Sequence, residues 1–265
     1  MLLDAIILAG GDPEKDADLL AYAGGAPCKA LIKLGERTFL ERIVSAMLGS
    51  TRVDRIVVVG LLAEHRPDLG SRVVFLPDAG SILTNGEAAV QYLRSTGRIS
   101  ERILASTSDI PLITSQVIDD LIDQCLPYDV DLCYTIVDQE LMEDAFPGSG
   151  RTFIPLDGRR YAGGDINVAK PSLLDADKNR LREIVGERKT FWKQVRVIGL
   201  DTLLLFLIRR LTISRIERRV RKALRLTGKA VICKHAQVAM DVDKPHHMDV
   251  VREAWARQGP SAQAE

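Results

Sequence analysis

The chain has few cysteines, few aromatic residues and no signal-like N-terminus. Its four cysteines, Cys28, Cys125, Cys133 and Cys233, are scattered without a Cys-x-x-Cys pair or a histidine at ligand spacing, so the sequence predicts neither a disulfide framework nor a structural zinc site. This cysteine usage favours a reducing, cytoplasmic location. The N-terminus has no basic segment, and Asp4 interrupts its short apolar run, which argues against a secretory signal peptide.

Long apolar runs are also missing. The nearly continuous apolar stretch at 203–208 is far shorter than the roughly 20 residues that span a bilayer, and Arg209 ends it. The composition, 265 residues of which 46% are hydrophobic, is typical of a globular protein with a large core. Its 36 basic and 36 acidic residues cancel overall, but residues 187–230 hold thirteen Lys or Arg against three Asp or Glu.

Short apolar segments alternate with amphipathic ones in the first half of the chain. The predicted strands cover residues 2–8, 55–59, 72–76 and 102–106, and their Ile, Val and Leu content is typical of parallel strands buried on both faces. The helices between them have candidate N-caps at Thr38, in a capping box with Glu41, at Asn85 and at Thr114. This alternation predicts an α/β fold, a Rossmann-like doubly wound and mostly parallel sheet.

The pattern changes in the second half. A strand is predicted at 130–137 and a hairpin at 153–161 that turns at Asp157 and Gly158, which adds an antiparallel element to the sheet. Residues 172–226 are predicted to be mostly helical, 230–242 a strand and 246–258 a closing helix. We therefore expect a single domain over 1–265 that carries a basic helical insertion at about 172–229.

Two glycines, Gly10 and Gly11, directly follow the first predicted strand. Glycines at this edge let a backbone approach a phosphate or base closely, but a tight turn without a ligand is an equal reading of these two residues alone. No Gly-x-Gly-x-x-Gly follows the strand, and the chain contains no Gly-x-x-x-x-Gly-Lys-[Ser/Thr]. The sequence therefore excludes the dinucleotide fingerprint and the P-loop.

A longer pattern surrounds these glycines. Leu-Ala-Gly-Gly at 8–11 is followed by Pro-x-Lys-Ala-Leu at 27–31, by a Leu-Gly turn, and by Phe-Leu-Glu-Arg at 39–42. The pattern resembles nucleotidyltransferases of the glycosyltransferase-A-like fold, especially the MobA-like NTP transferases. The resemblance implies that Lys29 contacts phosphates, where the alternative is an ordinary solvated lysine. It also implies that the nucleotide is bound by Leu8, Ala9, Gly10 and Gly11.

Two acidic segments extend the resemblance. Asp109, in Asp-x-Pro-Leu after the strand at 102–106, matches the aspartate that binds the catalytic Mg²⁺ in that family, although a turn or cap aspartate is the simpler alternative. Asp243, in Asp241-Val-Asp243, matches a second metal ligand in some members. Alternation along the strand predicted at 230–242 would place Asp241 and Asp243 on one face. The implied cofactor is Mg²⁺, or Mn²⁺ in its place.

Further candidates are less specific. Asp165 and Asn167 lie in a segment that resembles the acceptor side of the family, and Asn85 lies where relatives have a loop that binds the base. The segment 12–25 is acidic and lacks the arginine that relatives carry in Ser-x-Arg-Met-Gly. Lys15 is the candidate to replace that charge in binding the triphosphate.

The implied activity is transfer of a nucleoside monophosphate from a nucleoside triphosphate to a phosphorylated small molecule, such as a molybdopterin-like cofactor or a sugar phosphate, with release of pyrophosphate. No nucleic-acid partner is expected. Two alternatives stay open: a glycosyltransferase that uses Asp241 and Asp243 as a metal-binding Asp-x-Asp, and a non-catalytic nucleotide-binding protein. The basic residues at 200–229 form either a solvated helix face or a surface that attracts a polyanionic or lipid-linked acceptor or an anionic membrane.

Overall fold

The computed structural model describes residues 1–175 and 211–257. The strands in these residues are β1 Leu3–Leu8, β2 Lys33–Leu34, β3 Arg37–Thr38, β4 Val53–Val59, β5 Val73–Leu76, β6 Ile103–Thr107, β7 Leu132–Asp138, β8 Ile154–Leu156, β9 Arg159–Gly163, β10 Ile166–Ala169 and β11 Gly228–Cys233. The helices are α1 Ala17–Tyr22, α2 Phe39–Gly49, α3 Ile82–Ser95, α4 Ser115–Cys125, α5 Gln139–Ala145, α6 Ile213–Leu224 and α7 Pro245–Arg257. None of these helices is long and apolar enough to cross a membrane.

The main sheet has a parallel half and a mixed half. Strands β5, β4, β1 and β6 are parallel neighbours in that order. Strand β10 lies antiparallel between β6 and β7, and β11 pairs with β7 in parallel. The predicted doubly wound, mostly parallel sheet with an antiparallel addition is therefore confirmed. Strand β1, which has a parallel neighbour on each side, is buried along almost its whole length, as is typical of parallel strands covered on both faces.

Strands β9 and β10 share one edge of β7. Because β11 pairs with residues 132–137 on the other edge, the pairings of β9 with the end of β7 and of β10 with its start must occupy the same side. The break between them falls at Gly164 and Asp165, where the Gly164 amide donates to the Thr135 carbonyl at 2.8 Å. The polar Asp165 is thereby placed inside the sheet, beside the end of β6.

Most local predictions are confirmed by the structure. Thr38 and Glu41 form the predicted capping box of α2, and Thr114 caps α4. The Leu-Gly turn joins β2 to β3, with Gly35 at a φ of 66°. The predicted hairpin turns at Asp157 and Gly158, which have φ angles of 52° and 78°.

Two local predictions are wrong. Asn85 is not an N-cap, because α3 begins one turn earlier, where the Ser81 side chain accepts from the Thr84 amide. The strand predicted at 230–242 ends at Cys233, which pairs with Val137 near the end of β7 and leaves no neighbour for a longer strand. Residues Ala236–Ala239 form a 3₁₀ turn instead, and most of them are buried. Asp241 and Asp243 follow that turn and lie on no strand.

The predicted helical insertion lies only partly in the described residues. Its start, Pro171–Asp175, is a 3₁₀ turn, and its end includes the helix α6. Residues 176–210 lie outside the described residues. Ile213 and Ile216 of α6 pack against a cluster that contains Ile136, Leu156 and Tyr161 of the sheet, so this helix covers the mixed half of the sheet.

Candidate active site

Of the two glycines that follow β1, Gly10 lies against neighbouring segments of the chain. A Cβ at Gly10 would lie 3.4 Å from the side chains of Asn85 and Asp78 and 3.5 Å from the Gly60 Cα atom. The backbone of Leu8 and Ala9 continues the sheet, since Leu8 O accepts from Ser108 N at 3.2 Å and Ala9 N donates to Val59 O at 2.8 Å. The loop is therefore held close to neighbouring backbone.

Asn85 braces the far side of this loop. Its side chain is buried, Oδ1 accepts from the Ala79 amide at 2.6 Å, and Nδ2 donates to Asp78 Oδ1 at 2.8 Å. Both partners lie in the turn after β5, directly beside Gly10. The structure thus places Asn85 beside the glycine loop, where it hydrogen-bonds to the turn and does not cap a helix.

Lys29 lies at the centre of a group of carboxylates. It begins the 3₁₀ turn Lys29–Leu31, and its Nζ atom is 2.5 Å from Asp243 Oδ1, 3.3 Å from Asp109 Oδ2 and 3.7 Å from Asp16 Oδ1. Burial by itself would lower the pKa of Lys29, but the carboxylates, led by Asp109, outweigh it and raise that pKa above its usual value. Lys29 is therefore a fixed positive charge.

Three carboxylates lie close enough to share one cation. Asp109, Asp241 and Asp243 can each offer an oxygen atom within 4.8 Å of the others. Asp109 Oδ1 is buried and has no hydrogen-bond partner in the described part of the chain. Carboxylate oxygens are the ligands that Mg²⁺ prefers, and a buried oxygen without a partner is costly unless something binds it. The residues present therefore fit a divalent cation.

Backbone hydrogen bonds bring these carboxylates together. Val242 N donates to Asp109 O at 2.9 Å, which ties the segment after the 3₁₀ turn to the end of β6. Asp165 donates its amide to Val238 O at 2.8 Å and accepts from Thr107 N at 3.1 Å. The expected proximity of Asp241 and Asp243 is thus observed, but its predicted cause, strand alternation, is wrong.

Arg151 is a site residue that sequence reasoning missed. Its guanidinium forms ion pairs with Asp241 and, at 3.7 Å, with Asp165. Burial, followed by the charge of Asp165, nevertheless raises the pKa of Asp241 well above its ordinary value. Arg151 follows Gly148 and Gly150, which both have positive φ. These glycines are a weak sequence signal of a constrained turn, and no motif in the sequence marks Arg151.

Asp16 is a second site residue that sequence reasoning missed. Burial, opposed by Lys29, raises the pKa of Asp16.

Two predicted site residues, Lys15 and Asn167, lie apart from the carboxylate group. Lys15 pairs with Asp12 instead, and two-thirds of its side chain is exposed. Asn167 accepts from the Thr135 amide at 2.8 Å and supports the junction of β7 and β10.

The fold and this group of residues define a class: an α/β protein with an acidic, lysine-bearing site where a glycine loop follows the first parallel strand. The model of the MobA-like NTP transferase domain matches residues 5–224. The chain belongs to this family of nucleotidyltransferases. This membership disfavours the glycosyltransferase alternative.

Several solved structures are similar to this chain. A hypothetical transferase from Thermus thermophilus is 28% identical, with a TM-score of 0.79 over 94% of this chain and 100% of that chain. The 2-C-methyl-D-erythritol 4-phosphate cytidylyltransferase of Thermus thermophilus has a TM-score of 0.55 at 14% identity, over 97% and 100% of the two chains. CMP:2-keto-3-deoxy-manno-octonic acid synthetase, complexed with CTP, has a TM-score of 0.57 at 11% identity, over 97% and 98%. The latter two show the fold alone. No curated protein matches the sequence.

Proposed function

We propose that this nucleotidyltransferase moves a nucleoside monophosphate from a nucleoside triphosphate to a phosphorylated small molecule and releases pyrophosphate. The observation that carries the proposal is the position of Lys29 between Asp109 and Asp243. These residues lie where β1 and β6 end in the parallel half of the sheet, the edge at which open α/β sheets bind ligands.

The charge of the site supports a requirement for a divalent cation. Five carboxylates face two cationic side chains, Lys29 and Arg151, and an excess of negative charge remains even with Asp241 protonated. The carboxylates are Asp16, Asp109, Asp165, Asp241 and Asp243. A triphosphate is itself multiply negative, so it would be repelled from this site without a counterion.

Asp109 and Asp243, with Asp241 beside them, are the residues that would hold Mg²⁺ or Mn²⁺. Bound there, the cation would neutralise charge on phosphate oxygens. In the proposed reaction an oxygen of the acceptor phosphate forms a bond to the α-phosphorus, and the bond from that phosphorus to the bridging oxygen breaks. The nucleophile is already an anion, so the protein needs no general base, and its task is to align the reactants and stabilise charge.

The remaining predicted residues divide between the two substrates. Gly10, Gly11 and Lys29 would bind the nucleotide, with Asn85 shaping the loop beside it. Asp165 would line the acceptor side together with Arg151, and Asn167 would support that strand. Molybdopterin-like cofactors and sugar phosphates are the proposed acceptor classes. All four cysteines are free, which supports the cytoplasmic location that we propose.

The basic helix α6 is a second region that we assign to anions. Arg215, Arg218, Arg219 and Lys222 line one groove of about 320 Å³. Glu217, the acidic residue of the helix, accepts from the Ala230 amide at 3.0 Å and lies 3.4 Å from Lys229. Clustered cations of this kind attract phosphate-bearing anions, so we propose that this face draws in a polyanionic or lipid-linked acceptor or contacts an anionic membrane.

The direct test has two stages. The four common nucleoside triphosphates are first compared for thermal stabilisation of the protein with Mg²⁺ and with EDTA. The stabilising nucleotide is then incubated with pooled phosphorylated acceptors, and pyrophosphate release is measured. Stabilisation without pyrophosphate release from any acceptor pool would support the non-catalytic alternative.

Asp109→Asn is the variant to compare with wild type in this assay. We expect turnover to fall by orders of magnitude, because an amide is a poor ligand for a divalent cation and leaves the charge on the phosphates uncompensated. The fold should persist, since the bond from Val242 N reaches the backbone of Asp109. Asp123→Asn is the control, because its half-exposed carboxylate pairs with Arg52. Full activity of Asp109→Asn would refute the metal assignment.

A further inference from the structure

The position of the Asp16 side chain is not explained by helix capping. It stands at the N-cap of α1, yet its side chain makes no capping hydrogen bond. Instead, Oδ1 lies 3.7 Å from Lys29 Nζ, and Oδ2 lies 3.5 Å from the point where a Cβ on Gly11 would be. Only 18% of this side chain is exposed. Asp16 therefore lies between the glycine loop and the lysine.

These two neighbours are the groups to which the proposed function assigns the phosphates. Any phosphate that contacts Lys29 from the side of the glycine loop also approaches the Asp16 carboxylate. Lys29 already has two other carboxylate partners, Asp109 and Asp243. A metal-free polyphosphate would therefore meet a local excess of two negative charges, and the partial burial of these groups limits screening by water and salt.

We propose that Asp16 is a specificity-determining residue that excludes metal-free triphosphates, so that nucleotide binding depends on a bound divalent cation. The inference rests on the proposed function. A cation held by Asp109 and Asp243 compensates those two carboxylates and leaves Lys29 available to phosphate. With those two carboxylates compensated, the charges of Asp16 and Lys29 balance, so the triphosphate no longer meets the local excess of two negative charges. The residue thereby discriminates between two forms of the same nucleotide.

Asp16→Asn tests this role with little change of shape, and asparagine is a good N-cap residue. Asp18→Asn is the matched control, because Asp18 is an exposed residue in the first turn of the same helix. Calorimetric titrations use inorganic triphosphate and the nucleoside triphosphate that stabilises the wild type, each with Mg²⁺ and with EDTA. We expect Asp16→Asn to bind both probes in EDTA at least about tenfold more tightly than wild type, as removal of a unit charge a few ångströms from the phosphates requires.

The magnesium complexes should bind Asp16→Asn within about threefold of wild type, and Asp18→Asn should match wild type in every titration. Equal binding of the metal-free probes to wild type and Asp16→Asn would overturn the inference. A marked loss of affinity for the magnesium complex would also overturn it, because Asp16 would then be a metal ligand. If wild type binds no magnesium–nucleotide complex, the proposed function fails, whereas the titration of inorganic triphosphate still decides the role of Asp16.

Discussion

Replacing Lys29 with methionine should destabilise the protein when no divalent cation is present. The Nζ atom lies within 3.7 Å of oxygen atoms from Asp16, Asp109 and Asp243, and methionine is an unbranched side chain that is one atom shorter and carries no charge. Removing one partner of a buried ion pair costs about 3–5 kcal/mol. Because the Asp243 side chain is 49% exposed and water screens it, we expect a loss of about 2–3 kcal/mol in the free energy of unfolding.

This loss is measurable by calorimetry in EDTA at neutral pH. For a chain of this length, 1 kcal/mol corresponds to about 2 °C in Tm, so the variant should melt about 5 °C below wild type. Lys15→Met is the control, because the exposed pair of Lys15 with Asp12 should contribute nothing measurable. A Lys29→Met variant that melts at or above the wild-type temperature would refute the reasoning, since it would show that Lys29 does not offset repulsion among the carboxylates.

The pH dependence of this difference has a defined sign. Burial would raise the pKa of Asp243, but the hydrogen bond and charge of Lys29 outweigh it and hold that pKa below its usual value. A lowered folded-state pKa contributes stability that is present above the unfolded value of about 4 and is lost as the pH falls through the folded value. Lys29→Met removes this contribution, so the difference in Tm between wild type and the variant should become smaller as the pH is lowered below about 4.

Further substitutions test the phosphate contact of Lys29, the packing of the glycine loop and the basic face of α6. Lys29→Arg should not restore the turnover that Lys29→Met loses, because a planar guanidinium does not replace a compact ammonium charge, and wild-type kcat/KM in both variants would contradict the phosphate contact. Gly60→Ala should cost more than about 2 kcal/mol in stability and weaken nucleotide binding, because Gly60 has a φ of 104° and its Cβ would overlap the backbone N and Cα of Gly10. Gly70→Ala, at a φ of 85° with open space around it, should show only the smaller backbone strain, and equal losses in the two variants would contradict the close packing of the loop. Changing Arg215, Arg218 and Arg219 to Ser should reduce sedimentation with phosphatidylserine vesicles at low salt or raise the KM for a polyanionic acceptor, and no effect on either would leave α6 as a solvated basic face.

Sequence reasoning succeeded where local chemistry decides the structure. The apolar run of β1 is buried along its length, and the hydroxyl groups of Thr38 and Thr114 accept the amide hydrogen bonds that start α2 and α4. Asn85 shows where this reasoning fails. Its type suits a cap, but its partners, Asp78 and Ala79, lie in the turn after β5, and a sequence pattern does not show that the chain returns to that turn.

The residues of the candidate site also fall into two groups, those that the sequence predicts and those that it does not. Lys29 and Asp109 lie 80 positions apart, and in the sequence only the resemblance of their segments to family motifs links them. Asp16 and Arg151 belong to no such motif. Asp16 is one acidic residue in an acidic segment, and Arg151 is one of many arginines, so only their distances to Lys29 and Asp241 distinguish them.

Main-chain hydrogen bonds hold the segments that carry Asp109 and Asp165. The bonds from Thr107 to Asp165, from Asp165 to Val238 and from Val242 to Asp109 all join backbone atoms, so replacing an aspartate with asparagine leaves them in place. Binding and folding should therefore respond separately to a substitution of Asp109. Lys29 differs, because its charge both offsets the carboxylates in the folded protein and is proposed to contact the phosphates. A substitution of Lys29 should thus change stability and activity together, and Mg²⁺ should restore more of the stability than of the turnover, since a cation can offset the carboxylates but cannot replace the lysine contact.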